Sequence, residues 1–123
     1  MALVTLKKRA EFLRLRGGAR CASPGFVLET KSRLDGASDH GPRFGFTVTK
    51  ALGGAVDRNR IRRRLKAAVT EVAPASAHPS HDYVLIARGA ALKRSFIDLK
   101  KDLERAFQRV HQPAEPRRPG RGQ

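Results

Sequence analysis

"RFGFTVTKALGGAVDRNRIRRRLKAAVT", residues 43–70, contains the change of period that decides the fold. In its first part Phe44, Phe46 and Val48 alternate with Thr47, Thr49 and Lys50, the period of a strand with one apolar face and one polar, basic-ended face. After "ALGG" the apolar residues Ile61, Leu65, Ala68 and Val72 recur at steps of four, three and four, which at about 100° per residue form one helical stripe. The pattern predicts a helix from Ala55 to Val72, ended by Pro74, with Asp57 in the first turn, where a negative charge suits the exposed amides.

Outward from this unit the chain continues to alternate element types. Upstream, "TLKKRAEFLRLRGG" opens on Thr5 as a helix cap and closes on Gly17-Gly18, which predicts a short basic helix over about residues 6–15. "GFVLETKSRL" alternates as a half-buried strand does, giving a strand over 25–33, and the turn formers after it give a loop over 35–42. Downstream, "DYVLIARG" reads as a buried strand over 82–88. Ser95 and Asp98 make a capping box for a last amphipathic helix carrying Phe96, Leu99, Leu103, Ala106 or Phe107, and Val110. The expected fold is a single α/β domain of α+β type, one small sheet packed with helices in the order α-β-β-α-β-α. It is expected to occupy residues 1–111, followed by a disordered basic tail over 112–123 that has nothing to bury.

A chain of 123 residues, 40% apolar, supports one core and not two. Its 26 Lys and Arg against 11 Asp and Glu give a net charge of +15, so the compact state repels itself unless a polyanion supplies the opposite sign. The single Cys21 excludes an internal disulfide, the N-terminal residues lack a secretory signal, and no apolar run is long enough to span a membrane. A cytoplasmic protein without a membrane partner is expected.

The charge is concentrated in the central helix. Five arginines and a lysine crowd the nine positions from Arg58 to Lys66, and no acid falls between Asp57 and Glu71. With Ile61, Leu65 and Val72 in the core, Arg60, Arg63 and Arg64 are expected on the far side, and Arg58, Arg62 and Lys66 along one flank. Solvated helix faces usually mix signs, and a membrane-surface helix carries bulkier apolar residues than this stripe, so a phosphate backbone is the expected partner. Arginine's planar fork suits phosphate oxygens. Asn59 admits two readings: a residue near the helix start, or an amide that contacts RNA or holds a neighbouring arginine.

"TVTKALGGAVDRNRIRRRLKAAV", residues 47–69, resembles the signature of the bacterial ribonuclease P protein subunit family, with its Arg-Asn-Arg core after a Ser/Thr-Val-Ser/Thr-Lys strand end and a glycine turn. The resemblance extends to "LKKRAEF", "GFVL", "DYVLIARG" and the final helix. It implies an α/β sandwich with a left-handed βαβ crossover. It also implies a role as the protein component of the ribonucleoprotein endoribonuclease that removes the 5′ leader from precursor tRNA. Arg58, Asn59, Arg60, Arg62, Arg63 and Lys66 would bind the catalytic RNA. A groove of the first helix and the sheet, with Phe12, Thr47, Thr49 and Lys50, would receive the single-stranded leader. Partners would be the ribonuclease P RNA, at 1:1, and the leader of precursor tRNA. Gly54 replaces the family's usual turn Asn, and the second aromatic often found after Phe12 is absent from "LRLRGG".

Metal-dependent nuclease chemistry needs clustered carboxylates, and the acids here are scattered. Asp98, Asp102 and Glu104 lie among Lys100, Lys101 and Arg105 and are expected in surface ion pairs. His78 and His81 are assigned to a loop because Pro79 intervenes, and Cys21 to a small residue near a strand. No catalytic residue, metal ligand or cofactor is therefore expected on the protein, which agrees with the family resemblance, where Mg2+ and the chemistry belong to the RNA. A structural RNA-binding protein, such as a ribosomal one, and a DNA-binding module share the basic helix. The RNA or DNA that copurifies separates the three readings.

Overall fold

The computed structural model describes residues 4–6, 15, 18–32 and 41–111. Five strands, β1 (Val4–Thr5), β2 (Ala19–Ala22), β3 (Phe26–Ser32), β4 (Arg43–Thr47) and β5 (His81–Ala87), form one mixed sheet in the spatial order β1-β4-β5-β3-β2. Among the described residues, helices α1 (Ala55–Ser76) and α2 (Phe96–Val110) join this sheet in an α+β domain. β1, β4 and β5 run parallel, β3 pairs antiparallel with β5, and β2 pairs antiparallel with β3. The chain therefore crosses from β4 to the adjacent parallel β5 through α1.

The sheet has two faces, and the period of two decides which residue meets which layer. On one face Phe26, Leu28, Phe44, Tyr83 and Leu85 pack against Ile61, Leu65, Ala68, Val69, Val72 and Ala73 of α1 and against Leu99, Leu103, Ala106, Phe107 and Val110 of α2. Phe44 and Tyr83 stack with ring centroids 5.2 Å apart, and Phe107 meets Tyr83 edge-on at 5.1 Å. On the other face Leu6, Leu15 and Val84 form a second cluster with Ile86. β5 is central and covered on both sides, which is why "YVLIA" is continuously apolar.

The strands expected over 25–33 and 82–88 and the last helix are present. Ser95 Oγ accepts a 3.1 Å hydrogen bond from the Asp98 amide, the expected cap. Four expectations are corrected. α1 continues through Pro74 to Ser76, because buried Val72 and Ala73 hold the last turns on the sheet and the Ala77 amide donates to the Ala73 carbonyl at 2.8 Å. A proline near the helix end costs one backbone hydrogen bond and does not terminate the element. The strand over 43–50 stops at Thr47, and a 3-10 turn over Lys50–Leu52 follows. Thr5 lies in β1 rather than capping a helix, and the Leu6 amide donates to the Phe44 carbonyl at 2.8 Å. β1 and β2 were not expected at all. "ARCA" has no alternation of its own and is held as a strand by its register with β3, Ala19 opposite Thr30 and Ala22 opposite Val27. Residues 7–14 of the expected first helix, residues 33–40 of the expected loop and the tail over 112–123 lie outside the described residues.

Two buried carboxylates carry partners. Asp82, fully buried, accepts a bidentate pair from Arg43, Nε to Oδ1 at 2.8 Å and Nη2 to Oδ2 at 2.7 Å. Asp102 is buried too, and not on the surface as expected, because it sits three residues after Leu99 and beside Leu103 on the apolar stripe. Arg94, in the turn before α2, meets it with Nε 2.5 Å from Oδ2 and Nη2 3.1 Å from Oδ1.

Removing one member of a buried pair leaves an uncompensated charge. Arg94→Met is expected to lower the midpoint of urea unfolding, because it leaves the buried Asp102 carboxylate without its partner, and Arg94→Met with Asp102→Leu to regain most of that loss. A double variant as unstable as the single one would show that the pair does not act as a unit.

Candidate nucleic-acid interface

The passage from β4 into α1 builds the site. Thr49 and Lys50 are exposed after the strand, and Gly53 then adopts φ +137°, a backbone conformation that L side chains rarely take. A Cβ there would also lie 3.1 Å from the Asp57 carboxylate. Gly54 occupies the N-cap in an extended conformation and offers no side chain to the first-turn amides of α1. Those amides and the positive end of the helix dipole thus open at the carboxyl end of a parallel strand, the place where open α/β sheets receive anionic ligands.

Asp57 is in the first turn, as expected, beside the turn it follows. Arg58 is half-buried and folds back, its Nε donating to the Gly53 carbonyl at 3.2 Å, so that it both closes the turn and keeps its remaining donors outward. Asn59 lies inside the helix, past the N-cap, and its Oδ1 accepts from Arg62 Nη1 at 3.2 Å. Of its two readings, the one in which it holds a neighbouring arginine is what this geometry provides. Arg60 and Arg63 are exposed. Lys66 reaches over the half-buried Phe46 ring, with Nζ 5.9 Å from the centroid, and so joins the helix flank to the end of β4.

Arg64 corrects the expectation for the far side. It is half-buried on the opposite flank, with Nε donating to the Ala91 carbonyl at 3.0 Å and Nη2 to the Arg94 carbonyl. One arginine of the run is therefore an internal fastener between α1 and the turn that carries Arg94. The helical period puts it one step before Leu65 and three after Ile61, but nothing in the sequence marks carbonyls 27 and 30 residues away as its partners.

Of the four residues expected to line a groove, Thr47 lies on the sheet face opposite α1, in register with Ile86, while Thr49 and Lys50 sit at the rim where the two faces meet. Phe12 lies outside the described residues. Phe46 and the Gly53 carbonyl belong to the site and were missed, since each acts by supporting a basic side chain from another element. Asp98 and Glu104 lie on α2, the first half-buried beside the cap and the second exposed. Cys21 is half-buried on β2.

Comparison with known proteins gives a consistent result. A family described as Ribonuclease P matches residues 2–111. The "Ribonuclease P protein component" of Brucella suis is 45% identical over 108 residues, covering 84% of this chain and 77% of that protein. The one from Erythrobacter litoralis is 39% identical over 114 residues, covering 92% and 91%. The structure of the Staphylococcus aureus RNase P protein superimposes with a TM-score of 0.70 at 28% identity, over 87% of this chain and 94% of that one. The RNase P protein from Thermotoga maritima shares the fold, with a TM-score of 0.67 at 20% identity over 82% and 96%.

The two kinds of arginine should separate in experiment. Arg60→Ala and Arg63→Ala are each expected to weaken RNA binding and to make the slope of log affinity against log salt shallower by about 0.7–0.9, the value for one lost phosphate contact. Arg64→Ala should instead lower the unfolding midpoint and leave the slope nearly unchanged. Unchanged slopes in both exposed variants would contradict the assignment of this face.

Proposed function

This chain belongs to the ribonuclease P protein family, and from that premise we infer how its surface serves the enzyme. It is the protein component of ribonuclease P, a subunit of an endoribonuclease that acts on precursor tRNA in 5′ leader processing, and its partner is the ribonuclease P RNA. We propose that Arg58, Asn59, Arg60, Arg62, Arg63 and Lys66 form the face that binds this RNA, one protein per RNA. The observation that carries the reading is the acid-free run of α1 from Arg58 to Thr70, which begins beside the first turn left without a side-chain cap at the carboxyl end of β4. Four of the six are arginines, whose forks match phosphate oxygens, and Asn59 fixes Arg62 in place so that less side-chain entropy is lost on binding.

Thr47, Thr49 and Lys50, together with Phe12, form the part of the proposed surface that holds the single-stranded leader. Thr49 and Lys50 are exposed at the rim and can reach a strand passing from the arginine face to the far side of the sheet. Contacts made to the leader exist in the precursor and vanish in the mature product. They strengthen substrate binding without retaining product, which is the useful form of binding energy for turnover.

The protein's part in cleavage is electrostatic. Two polyanions, the catalytic RNA and the precursor, must approach closely, and a domain of net charge +15 offsets part of their repulsion. Mg2+ held by the RNA would supply the hydrolytic chemistry, and this chain's residues bind and position. The holoenzyme would act in the cytoplasm. A protein that only scaffolds the RNA would share the arginine face but would have no use for a basic rim at the end of β4.

Lys50→Ala is expected to weaken holoenzyme binding of precursor tRNA several-fold while leaving mature tRNA affinity unchanged. Equal loss for both would point to RNA scaffolding alone. Protein without RNA should not cleave precursor tRNA, and Asp98→Asn with Glu104→Gln should leave the holoenzyme rate at saturating protein intact. A collapse of that rate in a folded, RNA-bound variant would place catalytic groups on the protein.

A further inference from the structure

At the end of α1 remote from the arginine face, three histidines from three elements converge. His78 follows α1, His81 opens β5 and His111 follows α2, and one ring nitrogen of each lies within 4.8 Å of the others. Pro79 leads the sequence to place His78 and His81 in a loop, and the separation of 30 residues from His81 to His111 carries no local signal that the third histidine joins them. We propose that His78, His81 and His111 form a binding site for a divalent transition metal of the zinc class, which clasps the C-terminal ends of both helices to the start of β5.

The chemistry of the set fits such an ion. Three neutral imidazoles with no carboxylate among them suit a borderline metal such as Zn2+, at Zn–N distances of about 2.0–2.1 Å, and not Mg2+ or Ca2+, which take oxygen ligands. A water would fill the fourth position. Tyr83 provides the outer support that ligating histidines usually have. Its hydroxyl lies 2.6 Å from His111 Nε2 and accepts from the His78 amide at 2.7 Å. Coordination through His111 Nδ1 would leave the Nε2 proton to bond that hydroxyl, which is itself anchored by the stack of Tyr83 on Phe44.

The rings must turn for binding. His78 and His111 are stacked 3.6 Å apart with an interplanar angle of 5°, and a nitrogen lone pair lies in its ring plane, so two parallel rings cannot aim at one ion. His81 is perpendicular to both, at 5.4 and 4.7 Å. His78 is the exposed member and the one at liberty to rotate, while Tyr83 holds His111. The alternative role for the three rings is aromatic packing that extends the Tyr83–Phe107 cluster, and phenylalanine would serve that role equally well. The site is about 24 Å from Arg60 along the helix, by rise per residue, so its metal would act on stability and not on RNA contacts.

The test uses the untagged full chain, titrated with ZnCl2 and CoCl2. The expected results are one equivalent bound, visible d–d absorption of tetrahedral Co2+, and an unfolding midpoint raised by about 10 °C at a hundredfold excess over Kd. His78→Phe and His111→Phe should abolish all three, whereas His40→Phe, which removes the fourth histidine of the chain, should abolish none. Circular dichroism checks the fold. If His111→Phe unfolds, the exposed His78→Phe decides. No Co2+ spectrum and no midpoint shift at millimolar metal, or an equal response in His78→Phe and the parent protein, would overturn the proposal.

Discussion

Everything the surface does follows from how α1 is rotated on the sheet. Ile61, Leu65, Ala68, Val69, Val72 and Ala73 must all face Phe44, Tyr83 and Leu85, and that one requirement fixes the azimuth of every other residue on the helix. Burial of this stripe is worth several kcal/mol by the usual ~25 cal/mol per Å2, far more than the few tenths that each like-charge pair at helical spacing costs. The core therefore decides the orientation, and the arginines follow it. Arg63 and Asn59 end up pointing away from the sheet, Arg58, Arg62 and Lys66 along one flank, and Arg64 against the turn on the other.

The same constraint divides the charge of the molecule into two populations. Arg43, Arg64 and Arg94 are internal: the first and third neutralise the buried carboxylates of Asp82 and Asp102, and the second donates to the Ala91 and Arg94 carbonyls ahead of α2. They fix the ends of β4 and β5 and the entrance to α2. Arg60, Arg62, Arg63, Lys50 and Lys66 remain at the surface, on one side of the domain and at one end of α1. A net charge alone would not distinguish the two groups. The opposite end of α1 carries none of this charge and gathers histidines instead.

How much of this was legible in the sequence depended on the range of the interaction. The start of α1 at Ala55, the strand "DYVLIA" and the cap at Ser95 are written in local period and residue type and lie within a residue of where that period puts them, whereas β4 ends three residues earlier and α1 four residues later than expected. The family resemblance was carried by the same stretch, and the comparisons support it. What was lost is non-local. β2 exists through its register with β3, the buried Asp102 is paired by Arg94 from a turn eight residues earlier, and Arg64 bonds carbonyls beyond the next strand. Pro74 shows the complementary error, a local rule overridden by packing, since Val72 and Ala73 keep the last turn seated. Within the site, the basic residues were legible and their supports were not: neither Phe46 beneath Lys66 nor the Gly53 carbonyl under Arg58 has a sequence signal.

The turn after β4 and the outward face of α1 are proposed to make one surface for the ribonuclease P RNA. Backbone amide hydrogen exchange, measured on the protein alone and in complex with that RNA, tests it directly, because the first-turn amides of α1 have no side-chain cap and are open to exchange in the free protein. Marked slowing is expected over residues 49–58 on binding, with no change around His78–His81 or the end of α2. Protection confined to the histidine end, with the turn after β4 exchanging as in the free protein, would contradict it.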